Sequence, residues 1–151
     1  FLREIDSINM RRRVRMVDLA REFFGGSIVG RRVAVLGLAF KPNSDDIRDS
    51  PALNVAAQMK LQGASVVVTD PQAVANAQKA WPDLEYADTA QTAAKDADLV
   101  MVLTEWDEYR SIDPISFGTI VAGKRILDGR NALDREVWRA AGWNYRALGR
   151  R

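Results

Sequence analysis

The chain of 151 residues contains no cysteine and no histidine. Those two absences together remove thiolate nucleophiles, disulfides, Cys/His zinc sites and Ser-His-Asp triads, each of which needs a residue this chain lacks. Long hydrophobic runs are missing as well. No stretch reaches the roughly 20 apolar residues of a membrane helix, and the N-terminus lacks the order of basic, apolar and small residues that marks a secretion signal, so the chain reads as cytoplasmic. Nor is there an excess of charge of either sign. With 22 Lys plus Arg against 20 Asp plus Glu, the formal charge of +2 argues against nucleic acid or a membrane surface as partner, while a small anion held by a few placed cations stays compatible. Phe1 in place of an initiator Met is what a piece of a longer chain would show.

What is present suits one folded domain with an appendage. A hydrophobic fraction of 47% beside a charged fraction of 28% is enough to bury a core without covalent help. From Leu2 to about Phe24, apolar residues including Leu2, Ile5, Ile8, Val14, Val17 and Leu19 keep helical spacing, and Gly25-Gly26 supplies the stop. Residues 1–29 therefore read as a helix and linker ahead of a domain spanning 30–151. Arg11, Arg12, Arg13 and Arg15 crowd between the apolar positions, and the common fate of such a run is a solvated face. The apolar stripe itself has no evident partner in the domain, which would suit pairing with a second copy.

Beyond the helix the period changes. Short strand candidates at Arg32 to Leu36, Ser65 to Thr69, Leu84 to Tyr86, Leu99 to Leu103, Arg125 to Leu127 and Asn144 to Ala147, several of them rich in β-branched residues, alternate with helical segments. The helices start near Ser50, Pro71, Thr89, Asp113 and Asp134, with Gly63 and Gly142 placed at helix ends. Strands this short and apolar belong to a parallel sheet covered on both faces, which makes the fold α/β, a Rossmann-like doubly wound sheet of about six strands. In the order 3-2-1-4-5-6, ligands bind outside the carboxyl ends of the strands, where the chain reverses between the first and the fourth. The loops concerned are Gly37 to Ser50, Thr104 to Asp113 and Asp128 to Asp134.

The first of these is not the Gly-x-Gly-x-x-Gly turn that lets a backbone approach a pyrophosphate, because Gly37 stands alone before a charged excursion. It offers Lys41 and Arg48 instead, side chains suited to a diphosphate or a neighbouring sugar hydroxyl. Equally open is a local role in which Arg48 pairs with Asp45 or Asp46 to hold the loop. Asp45 or Asp46 would also be the base of a stand-alone catalyst, a reading for which no orienting partner is visible. In the second loop Trp106 either lines a pocket or packs beneath the loop. Arg130 in the third places a guanidinium at the mouth of the sheet beside Gly129. Asp70 ends the second strand, where it either meets a ribose or caps the next helix.

Taken in order, Gly37-Leu38-Ala39-Phe40-Lys41-Pro42, Asp45-Asp46-Ile47-Arg48-Asp49-Ser50-Pro51, Asp70-Pro71, Thr104-Glu105-Trp106 and Asp128-Gly129-Arg130 resemble the C-terminal domain of the UDP-glucose/GDP-mannose dehydrogenase family. The resemblance covers the chain from Arg31 onward. The segment Glu4-Ile5-Asp6-Ser7-Ile8-Asn9 resembles the end of the long helix that joins the family's two Rossmann-like domains and contributes to its dimer. The resemblance implies an NAD-dependent enzyme that oxidises the C6 hydroxyl of a nucleotide sugar to a carboxylate, in two hydride transfers through a cysteine thiolate. It implies that the cysteine, the glycine-rich NAD fold and the catalytic lysine lie outside this chain, which would then be inactive alone. By motif position Phe40 and Lys41 would contact the nucleotide sugar, Arg130 its nucleotide portion, and Arg48 the NAD across the domain interface, with no catalytic residue and no metal ligand here. Thr104-Glu105-Trp106 resembles the UDP-glucose branch more than those acting on GDP-mannose or UDP-N-acetylmannosamine.

Overall fold

The computed structural model describes residues 2–148, with side chains described from Met10 onward. In chain order the elements are α1 (Leu2–Glu22), β1 (Arg32–Leu36), α2 (Pro51–Leu61), β2 (Ser65–Thr69), α3 (Val74–Ala80), β3 (Glu85–Tyr86), α4 (Ala90–Ala94), β4 (Leu99–Val102), α5 (Asp107–Arg110), α6 (Pro114–Phe117), β5 (Arg125–Asp128), α7 (Arg135–Ala140) and β6 (Asn144–Ala147). The six strands pair in the order β3-β2-β1-β4-β5-β6, all parallel, so the expected doubly wound α/β sheet is the observed one. β1 sits at the centre, with Val33 opposite Val66 on one side and Leu99 on the other. Its residues Val33 to Leu36 and all of β4 are buried, which is why these strands read as unbroken apolar runs rather than as alternation.

Side chains at the helix starts act as the sequence suggests. Ser50, Thr89, Asp113 and Asp134 each accept a hydrogen bond from a first-turn N–H, and Pro51 and Pro114 follow two of them where no N–H is needed. Gly63 and Gly142 close α2 and α7 with φ of +99° and +92°. β3, β4 and β5 each differ from expectation by one residue at one end, and three larger differences have local causes. α1 ends at Glu22, because the chain turns through Phe23 and Phe24 and the N–H of Gly26 reaches back to the carbonyl of Arg21. α3 begins at Val74 rather than near Pro71, since the N–H groups of Gln72 and Ala73 are taken by the Asp70 carboxylate in a turn before the helix. The loop after β4 contains the single-turn α5, too short and too charged to show an apolar period.

The N-terminal helix does have a partner in the domain. Met16, Val17, Leu19 and Ala20 are buried in the same apolar cluster as the strands, and α1 packs beside α2. The turn that follows α1 is gripped by cations. The Phe24 ring lies 4.5 Å from the guanidinium of Arg31 and 4.9 Å from that of Arg125, and Arg146 stands 4.6 Å from the Phe23 ring. Because Phe24 meets Arg125 at the start of β5 while Met16 meets Gly129 just past its end, α1 runs antiparallel to the strands. A helix of 21 residues is about 31 Å long and a five-residue strand about 16 Å, so the turns before Met16 project beyond the carboxyl edge of the sheet. Among the described residues no helix is long and apolar enough to cross a membrane.

Candidate functional site

The carboxyl ends of β1 and β4 form the reversal point of the sheet, and here the backbone is tightly determined. Gly37 leaves β1 with φ +102°, and a Cβ on it would lie 2.6 Å from Thr104 Cβ. Only glycine accommodates both that conformation and the close approach of the loop after β4. Thr104, fully buried, donates its hydroxyl to the carbonyl of Ala39 at 2.9 Å, and Ser50 donates to the carbonyl of Leu38 at 2.6 Å while capping α2. The long loop is thus pinned at both ends.

Asp70 supplies the rest of the clamp. One carboxylate oxygen accepts the N–H groups of Leu38 and Ala39 at 2.7 and 2.9 Å and the indole N–H of Trp106 at 3.2 Å; the other accepts those of Gln72 and Ala73, both at 2.9 Å. Both oxygens of this buried acid are occupied by the protein, which leaves neither for a ribose, and because α3 starts at Val74 with Ala73 as its N-cap the acid closes the turn ahead of the helix instead of capping it. The same contact settles Trp106, which is buried beneath the loop rather than lining a pocket. Tyr109 anchors α5 behind it, its phenol pushed up by burial and then by Asp70 and Glu108. The acid at the end of β2 therefore holds the long loop that stands where a glycine-rich turn would be. With Gly37 alone and Asp70 engaged, the crevice is not shaped to take NAD as the glycine fingerprint does.

Arg48 lies at the outer rim, its side chain 87% exposed, and donates Nε and Nη2 to the two oxygens of Asp46 at 3.1 and 2.9 Å. The local pairing anticipated for Arg48 is real, with Asp46 and not Asp45 as partner. The Arg48 side chain and then its backbone N–H hold the Asp46 carboxyl at about 2, below its ordinary 3.8, and the same pair raises Arg48. An acid held that low is almost fully ionised and weakly basic at neutral pH, which removes Asp46 as the base of a stand-alone catalyst.

Phe40, Lys41 and Arg130 come together at a cavity of about 900 Å³ outside the carboxyl ends of β1, β4 and β5. Arg130 joins three loops. It donates Nε to the carbonyl of Leu103 at 3.0 Å and Nη2 to the carbonyl of Phe40 at 2.9 Å, and its Nη1 stands 3.5 Å from Glu105. Those two hydrogen bonds use two of the five guanidinium N–H groups, and the others remain for a ligand or for Glu105. Asp128, fully buried, fixes the third loop from below by accepting from Arg130 N, Ala132 N, Leu133 N and the Tyr145 hydroxyl. Phe40 is half exposed and offers an aromatic face. Lys41 has no ion-pair partner among the described residues.

The opposite wall is α1. Met10, Arg12, Arg13 and Met16 line the same cavity, facing Phe40, Lys41 and the start of α2 at Pro51, Ala52 and Val55. The arginine run is therefore not wholly the solvated face that its sequence suggests, and the helix and the crevice form one site. One signal in the sequence pointed there: at 21 residues the helix is too long to be matched by a five-residue strand, and the clustered arginines at its middle fall near the carboxyl edge of the sheet. In all, four cations (Arg12, Arg13, Lys41 and Arg130) face one carboxylate, Asp49. The first turn of α2 carries no acidic residue, so its dipole adds to the positive field. Such a cavity suits a ligand with several anionic oxygens and a flat or apolar body. Among the described residues no cluster of acids could hold a metal ion.

Residues 34–135 match the UDP binding domain of the UDP-glucose/GDP-mannose dehydrogenase family. Over 126 residues the chain is 44% identical to the UDP-glucose 6-dehydrogenase AglM of Haloferax volcanii, covering 81% of this chain and 29% of that protein. A UDP-glucose dehydrogenase structure from Pyrobaculum islandicum superposes with a TM-score of 0.76 at 32% identity, over 91% of this chain and 31% of that one. An NDP-N-acetyl-D-galactosaminuronic acid dehydrogenase structure from Methanosarcina mazei does so with a TM-score of 0.78 at 30% identity, over 91% and 28%. The chain thus spans about a third of the length of these relatives.

Proposed function

The chain belongs to the UDP-glucose/GDP-mannose dehydrogenase family as its UDP binding domain, and from that premise we propose that it is the nucleotide-sugar-binding part of an NAD-dependent UDP-glucose 6-dehydrogenase. The observation that carries this reading is the cavity of about 900 Å³ at the reversal point of the sheet, where Phe40, Lys41 and Arg130 converge. Phe40 offers its face to the base or sugar, Lys41 a mobile ammonium to the diphosphate or a sugar hydroxyl, and Arg130 its remaining N–H groups to the nucleotide. Residues 1–29 are the end of an interdomain helix, 30–151 the binding domain.

The oxidation belongs to other parts of the enzyme. This chain has no cysteine to carry a thioester, and it is inactive as a dehydrogenase by itself. NAD supplies the hydride acceptor when bound elsewhere, and Arg48, exposed and oriented by Asp46, is the contact that this domain offers it. The intact enzyme is a cytoplasmic homodimer, with Met10 and Val14, each 57% exposed on α1, available to a second copy. A second reading keeps the site and changes the sugar, to GDP-mannose, UDP-N-acetylmannosamine or a related compound. The similarity to a structure acting on a different nucleotide sugar favours keeping it. Calorimetric titration with UDP and with GDP separates the UDP-glucose reading from the GDP-mannose form of the second. The proposed function predicts heat with UDP and a weaker response with GDP; a preference for GDP supports the second reading, and no heat with either removes both.

A further inference from the structure

The site as the family motifs mark it lies wholly on the three loops, yet the cavity has a second cationic wall to which no loop contributes. Arg12 and Arg13 of α1 line it opposite Lys41 and Arg130. They are adjacent in sequence, one turn from Met16, which is buried against Gly129, where a Cβ would come within 2.6 Å of the Met16 methyl carbon. That close packing fixes the distance between this part of α1 and the loop carrying Arg130.

The two arginines differ in what holds them. Arg13 donates Nη2 to the carbonyl of Asp49 at 3.2 Å, which ties α1 to the residue just ahead of the α2 cap. Asp49 has φ +51°, a conformation uncommon for a residue with a side chain, and its carbonyl is turned to this contact. The Nε of Arg13 is buried and has no hydrogen-bond partner among the described residues. A buried N–H on a cation is costly to leave unmatched, and an anionic oxygen in the cavity would satisfy it. Arg12 is exposed at the cavity wall and makes no ion pair among the described residues. Arg15, by contrast, is paired with Glu22 at 3.3 Å and belongs to a separate surface depression formed with Asp18, Arg21 and Gly25.

We infer that Arg12 and Arg13 are ligands for the diphosphate of the nucleotide that occupies this cavity, so that α1 is one wall of the binding site as well as a connector. The inference rests on the nucleotide-binding reading given above. It places the phosphate charge between two cationic walls, Lys41 and Arg130 on the loops and Arg12 and Arg13 on the helix. It also makes affinity depend on how α1 is seated, through Met16 on Gly129 and Arg13 on Asp49.

The test measures UDP affinity by calorimetry for the whole chain and for Arg12→Ala, Arg13→Lys, Lys41→Ala and Arg15→Ala, with inorganic pyrophosphate as competitor. Arg12→Ala alters only an exposed side chain, and Arg13→Lys keeps the charge while removing Nε, so neither depends on the fold tolerating a lost cation in the interior. Expected are about ten-fold weaker UDP binding for Arg12→Ala, as loss of one charge-assisted contact implies, a clear weakening for Arg13→Lys, no change for Arg15→Ala, and displacement of UDP by pyrophosphate. If Lys41→Ala weakens UDP while Arg12→Ala and Arg13→Lys bind it like Arg15→Ala, the cavity is still the nucleotide site and the role of α1 is refuted. If the unaltered chain does not bind UDP, both readings fall together.

Discussion

Replacing Asp70 separates a structural acid from a ligand-binding one. Its carboxylate accepts five N–H hydrogen bonds, from Leu38, Ala39 and the Trp106 indole on one oxygen and from Gln72 and Ala73 on the other. In Asp70→Ala all five donors lose their acceptor in a site that is buried. A buried donor left unsatisfied costs about 1–3 kcal/mol. Taking the low end for each, because water will reach some of them, and subtracting the cost of having buried the charge gives a net loss of about 3–5 kcal/mol. Asp70→Asn should be almost as damaging. Its amide nitrogen must face either the trio or the pair of N–H groups, so donor meets donor in both orientations. A loss of about 3 kcal/mol is a large part of the stability of an ordinary domain. Urea unfolding followed by tryptophan fluorescence measures it directly. An Asp70→Asn variant within about 0.5 kcal/mol of the parent, but defective in ligand binding, would refute this reasoning and restore Asp70 as a ligand residue.

Gly37→Ala places a Cβ 2.6 Å from Thr104 Cβ at φ +102°; the combined clash and strain should exceed about 3 kcal/mol and lower the melting temperature by about 10 °C, whereas a change under about 2 °C would mean that the β1 and β4 ends are free to part. The Asp46 carboxyl should titrate at about 2 in the native chain and return toward 3.8 in Arg48→Ala, as followed by carboxyl-carbon NMR. Its folded value is depressed, so the pairing stabilises the fold above the unfolded value, and that contribution is lost as the pH falls from about 4 toward 2. An unmoved midpoint in Arg48→Ala would show that the pair is not the cause.

Much of the fold is visible in the sequence because its rules are local and repeated. β1, β2 and β6 fall at the expected residues, the first two because their valine-rich runs are bounded by Gly37 and Asp70, the third because it follows the helix stop at Gly142. The strand order is the one that the doubly wound fold supplies once the alternation of strands and helices is read. What could not be read from the sequence depends on contacts between distant segments. Asp70 looks the same in sequence whether it serves a ribose or the N–H groups of Leu38 and Ala39, more than thirty residues away. Trp106 is decided by that same carboxylate, and the arginine run by how far α1 overhangs the sheet. The loop residues Phe40, Lys41 and Arg130 could be named from their motif, but their convergence on one cavity is a property of the packed chain. Glu4 to Ile8 lie in α1, and their side chains fall outside the described ones.

The most direct measurement is an NMR titration of the labelled chain with UDP, following backbone amides and arginine side-chain signals. If the cavity between the loops and α1 holds the nucleotide, the shifted signals will cluster at Leu38 to Lys41, Leu103 to Glu105, Gly129 to Asn131 and the side chains of Arg12 and Arg13, with Asp70 to Val74 little changed. Shifts confined to the end of β2 and the start of α3, or no shifts at saturating UDP, would contradict it.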